Sequence, residues 1–168
     1  MQRDACVQFV FYKVPTQVQE LMMLPEAMLD SPFKTAALAM LALLQYEGNP
    51  EISFAMLDAL SGPEPLTPYK KSFIRDRLMG KAYKVRSFFS GATVDNNYTP
   101  TQPYRISVLQ NPYSFSNENW ATLYVQSSGA DSPRPIKLRR KPSTNQWFLN
   151  ELECLGDIRP PRSADPWA

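Results

Sequence analysis

The chain predicts an α+β fold, with helices gathered before most of the strands, and three observations carry that expectation. Ser31-Pro32, Asn49-Pro50 and Thr67-Pro68 repeat one helix-start pattern through the first half. In each, a short polar side chain can cap an orphan N–H, while proline in the first turn supplies a fixed φ without wasting a donor. After residue 103 the apolar period shortens to two in four successive short runs. Strands joined by short connections form an antiparallel meander, and segregated helices cover its dry face. The expectation is about three to four helices packed on about four strands.

Taken in order, residues 6–13 alternate as a strand, with Val7, Phe9 and Phe11 on one face and Pro15 as the stop. Thr16 and Gln19 have capping-box spacing before a short helix with Val18, Leu21 and Met22. The helix from Phe33 to about Tyr46 is apolar all round between Ala36 and Leu44, which predicts burial on several sides, with Gly48 as its terminating glycine. Ile52, Ala55, Met56 and Leu60 follow at helical spacing up to Gly62-Pro63, and a third helix runs from Pro68 to about Met79 before Gly80. Residues 81–103 are expected to form a loop. Tyr104-Ile106-Val108, Ala121-Leu123-Val125, Ile136-Leu138 and a last run holding Trp147 and Leu149 supply the sheet over 104–155. Residues 1–30 then hold a strand and short helix, 31–80 the helical half, and 156–168 a proline-rich tail, all within a single domain. Trp147 is expected in the sheet–helix core. In the tail, Ile158 and Trp167 are the expected anchors, with Trp167 either packed on the domain or docked on a second copy as a homodimer arm.

Composition narrows the chemistry. Among 168 residues there is no histidine, and Cys6 and Cys154 are the only cysteines. Histidine-based hydrolases, histidine-ligated metals and four-thiolate sites are therefore excluded within one chain. No phosphate-binding glycine loop or dinucleotide fingerprint occurs, so no cofactor and no metal is expected. The 16 prolines against 6 glycines predict stiff connections. The longest apolar run, Ala36 to Leu44, is too short for a bilayer that needs about 20 residues. With nothing resembling a signal peptide at the N-terminus, a cytoplasmic protein without membrane attachment is expected.

The net charge of +2 conceals an uneven distribution. Residues 70–86 hold seven basic side chains against Asp76 alone, interleaved with Phe73 and Tyr83 and preceded by Tyr69. Cations with aromatics suit nucleic acid, and Lys70, Arg77 and Lys81, which share a helical face, are the candidate anion contacts. The plain alternative is a basic helix solvated or paired with the acidic first third. Glu151 and Glu153 face one side of a strand, a spacing that could serve acid–base work but is also ordinary for an exposed strand. Both cysteines lie in apolar strands and are expected to be structural, reduced and buried. Tyr98, Tyr104 and Tyr113 lie in or beside loops and are the candidate contact surface, since tyrosine joins a large contact area to a polar tip.

Gly62-Pro-Glu-Pro-Leu-Thr-Pro-Tyr69, Phe73-Ile-Arg-Asp-Arg77, Gly91-Ala-Thr93, Asn111-Pro-Tyr113, Gly129-Ala-Asp-Ser-Pro-Arg134, Asp157-Ile-Arg159 and Asp165-Pro-Trp-Ala168 occur in that order. Together they resemble a bacterial domain family of unknown function, found mainly in Gram-positive gut bacteria. The resemblance spans roughly residues 30–168 and implies a complete, single-domain bacterial protein with no catalytic residue to carry over. Asn150 departs from it, standing where a large aromatic residue is expected.

The first functional expectation is thus a non-catalytic binding or protein-interaction module. The second is a small-ligand protein or enzyme with an enclosed helix–sheet pocket, as a roll of the nuclear-transport-factor-2 kind would create. Nucleic-acid binding through 70–86 is the third.

Overall fold

The computed structural model describes residues 6–168. Its elements are β1 (Cys6–Phe11), α1 (Val18–Met22), α2 (Pro32–Leu44), α3 (Pro50–Leu60), α4 (Pro68–Leu78), α5 (Tyr83–Arg86), β2 (Tyr104–Leu109), β3 (Trp120–Val125), β4 (Arg134–Lys141) and β5 (Gln146–Leu152). The strands form one antiparallel sheet in the order β1-β2-β3-β4-β5. The fold is α+β, with five strands rather than four. The extra strand is β1, which crosses from the N-terminus to pair along its whole length with β2, from Cys6 opposite Leu109 to Phe11 opposite Tyr104.

Each of the three expected caps is formed. Ser31 Oγ accepts from the Phe33 N–H at 3.2 Å, Asn49 Oδ1 from the Glu51 and Ile52 N–H groups, and Thr67 Oγ1 from the Lys70 N–H at 3.1 Å. Helix α1 departs from the expected capping box. Its N-cap is Gln17, and Thr16 instead donates its N–H and hydroxyl to Glu20 Oε1. Gly48 also differs, having an ordinary right-handed φ of −83° after α2 tightens into a 3₁₀ turn. Gly62, past the end of α3, does require glycine: its φ is +63°, and an added Cβ would stand 2.6 Å from the Phe148 ring.

Helix α2 lies against the dry face of the sheet, and every residue from Thr35 to Leu43 is buried. Phe9, Phe11, Ile106, Val108, Leu123, Val125, Ile136, Leu138 and Leu149 point into the same core. Two polar bonds fix α2 between its neighbours: Thr35 Oγ1 donates to Trp147 O at 2.7 Å, and Ser53 Oγ on α3 donates to Ala42 O at 2.8 Å. Trp147 is only half-buried and packs edge-on against Phe115 at 6.3 Å.

The stretch 81–103 is not a plain loop. It contains α5 and a 3₁₀ turn (Val94–Asn96), and it buries Val85, Phe88, Phe89 and Ala92. The proline-rich tail is held as expected by Ile158, which is buried, and further by Pro161. Arg159 pairs with Asp131 at 3.0 Å and Arg162 pairs with Asp95. Trp167 takes no part, being 93% exposed. No helix among the described residues is long and apolar enough to cross a membrane.

Candidate functional site

The basic segment is distributed over several separate tasks. Lys70 turns to the sheet and donates to Asn150 O at 2.8 Å, and Lys71 pairs with Asp58 at 3.3 Å. Arg75 and Arg77 lie over the rings of Phe54 and Phe73, at 4.9 and 4.1 Å. Arg86 donates to both carboxylate oxygens of Glu47, at 2.6 and 2.7 Å, and to the carbonyls of Asn97 and Tyr98. The face expected to hold Lys70, Arg77 and Lys81 together is divided, because Lys70 is drawn to β5.

What α4 and β5 build between them is an open cleft of about 230 Å³. Its floor is Leu66, Ile74, Leu149 and Leu152, and Tyr69 and Phe73 rise beside it one helical turn apart. The opposite wall is the run Asn150–Glu153. The register of β4 against β5 slips here, since Leu138 faces Leu149 while Lys137 faces Glu151, so Asn150 is the extra residue of a bulge. A bulge re-aims the side chains after it, and both Glu151 and Glu153 reach the cleft wall. Glu153 also stands 3.7 Å from Lys137. A second cleft of about 290 Å³ shares Leu149 and Asn150 and is bordered by Glu64, Arg139 and Lys141.

The candidate tyrosines are placed differently from one another. Tyr98, expected on a contact surface, is fully buried; it stacks on Tyr83 and donates its hydroxyl to Arg159 O at 2.8 Å. Burial raises its pKa, against the opposing charge of nearby Arg159. Tyr104 is half-buried against Phe89, while Tyr113 is exposed on the β2–β3 connection. These three rings form no common surface. Trp167, expected on the domain body, projects away from it.

Cys6, expected to be buried, is exposed at the start of β1. Cys154 is buried, and desolvation pushes its thiol up to about 12, so it is held as the neutral thiol at physiological pH. Among the described residues, no group of three or more acidic or sulfur side chains is gathered to hold a metal. Tyr69, Phe73, Glu151 and Glu153 each stand out in the sequence but not as one site, and Leu66 and the bulge do not stand out at all. Only the i,i+4 spacing of the two aromatics and the departure at Asn150 signal the cleft locally.

No curated protein and no solved structure matches the chain. A family model does match, over residues 13–162, which begins just after β1 and takes in all the helices, strands β2 to β5 and part of the tail. The chain belongs to the family described as a domain of unknown function, DUF6935.

Proposed function

We propose that this protein is a non-catalytic interaction module that receives a short segment of a partner protein in the α4–β5 cleft. The observation that carries the reading is the exposed Tyr69 ring standing over an apolar floor, 77% accessible on a helix that buries only two of its residues. Tyrosines so placed are the usual anchors of interfaces. The size of the cleft favours a side chain over a free small molecule, since ligand pockets range over roughly 300–1,000 Å³. Glu151 and Glu153 on the rim favour a cation beside the inserted group. The segment is therefore expected to present a large apolar residue next to Lys or Arg. A cytoplasmic setting belongs to this proposal, supported by two cysteines that are both free.

Selection of displayed peptides on the folded protein tests the reading. Enriched peptides should carry the apolar–basic pair, and Tyr69→Ala or Glu151→Gln should weaken them about tenfold or more while changing stability by no more than ~0.5 kcal/mol. No enrichment, or peptides indifferent to both substitutions, would end it.

A further inference from the structure

Eight Lys or Arg side chains among the described residues are ion-paired with carboxylates. Arg77, Lys81, Lys84 and Arg134 are not; Lys84 and Arg134 meet at the exit of β5 into the tail, and Lys81 and Arg77 are near enough for their charge to act on Lys84. Lys84 is 6% exposed and donates to Leu155 O at 3.1 Å, one bond for an ammonium with three protons to give. Arg134 donates Nη2 to Asp157 O at 2.7 Å. Gly156 lies between these two gripped carbonyls, with its missing Cβ 3.6 Å from Arg134 Nη1. Lys81 is one turn before Lys84, whose N–H donates to Lys81 O at 3.0 Å. Arg77 sits in the last turn of α4, its guanidinium plane held on the Phe73 ring at 4.1 Å.

The charges act on one another. Burial, then Lys81, Arg77 and Arg134, push the Lys84 ammonium below its usual pKa, and Asp157 is the one carboxylate opposing them. A buried cation among three others is unfavourable unless an anion compensates it. The carbonyls of Leu155 and Asp157 satisfy a single donor on each of two side chains and supply no charge.

We propose that Arg77, Lys81, Lys84 and Arg134 form a binding site for the phosphoryl group of a small ligand. A phosphoryl group brings up to about two negative charges and three acceptor oxygens, matching the several unused donors. The stacked Arg77 and the tail-bound Arg134 are pre-oriented, and glycine at 156 leaves room for close approach to the backbone. The site is distinct from the α4–β5 cleft and does not depend on that cleft's occupant.

Calorimetric titration with inorganic phosphate and with pyrophosphate, at matched ionic strength against chloride, tests the site. Saturable binding is expected, tighter for pyrophosphate. Lys81→Gln, at an exposed position without an ion pair, should weaken it about tenfold, the effect of one lost charge-assisted bond, while leaving the thermal midpoint in phosphate-free buffer unchanged. Arg77→Gln should act in the same direction. Lys84 is not the first choice, because its bond to Leu155 also holds the tail. Absence of saturable binding, or equal binding by both variants, would overturn the proposal. So would an oligonucleotide that binds with steep salt dependence where phosphate and pyrophosphate do not, since the cluster would then serve a nucleic-acid backbone.

Discussion

Helices α2 and α4 open in the same way and end in opposite surroundings. Both begin with a hydroxyl cap and a proline in the first turn. Of the thirteen residues of α2, ten are buried, whereas α4 buries only Ile74 and Leu78 of its eleven. A cap decides where a helix starts; the width of its apolar stripe decides how much of it the core takes. Helix α2 is wrapped on all sides and therefore has no surface to offer. Helix α4 is attached by a narrow seam, which leaves Tyr69, Lys70 and Phe73 to the cleft on one side and Arg77 to the cation cluster at its end.

The largest effect that would test this contrast is Leu41→Ala, which opens a cavity under the sheet and should cost about 2–5 kcal/mol in urea melts. A loss near that of a surface substitution would mean the core closes around α2 easily and the contrast is shallow. Next comes Gly62→Ala, between α3 and α4. The left-handed backbone and the Phe148 ring both oppose a Cβ there, so a loss of about 1–3 kcal/mol is expected. Removing the caps sharpens the comparison further. Ser31→Ala and Thr67→Ala should each cost about 1 kcal/mol. If Thr67→Ala cost nothing, α4 would contribute nothing to global stability and would have to be treated as an appendage.

The smallest expected effect is electrostatic and lies outside both helices. Lys13 and the N–H and hydroxyl of Thr16 hold the Glu20 carboxyl down to about 2 from 4.5. A depressed folded-state pKa contributes stability that is complete above the unfolded value and fades as pH falls from about 4.5 toward 2. Glu20→Gln should therefore narrow the stability gap to the parent protein across that window, and leave it constant above it. Denaturant melts through the acid range measure this directly.

Features read correctly from the sequence were local ones. Three caps, the buried character of Ala36–Leu43 and the alternation of β2 to β5 each depend on residues a turn or a strand apart. What failed depended on partners far along the chain. Alternation marked β1 as a strand but carried no sign that its partner was β2. Within 81–103, polar residues break up Val85, Phe88, Phe89 and Ala92, so no period announces a packed segment. Tyr98 was misplaced because its hydroxyl finds Arg159 and its ring finds Tyr83, neither of which polarity near a loop can foretell. Of the two places expected for Trp167, the domain body and a second copy, the first is ruled out by its exposure, because Ile158, Pro161 and two arginine pairs hold the tail without it. Of the candidate anion contacts, Arg77 and Lys81 remain beside Lys84 and Arg134. Lys70 leaves them for a carbonyl that a bulge at Asn150 turns outward.

The pairing of β1 with β2 has a consequence for how the chain is made. Phe11 must wait for Tyr104 before the first ladder bond can close, and at ordinary elongation rates that interval is on the order of ten seconds. During it, Phe9 and Phe11 have no sheet to enter, while the helical half, whose contacts are nearby in sequence, can already condense. Strand β1 leaves the ribosome before the other elements of the fold and is among the last of them to be placed. A cell making this protein must keep a short, aromatic, unpaired strand out of trouble for the length of its synthesis.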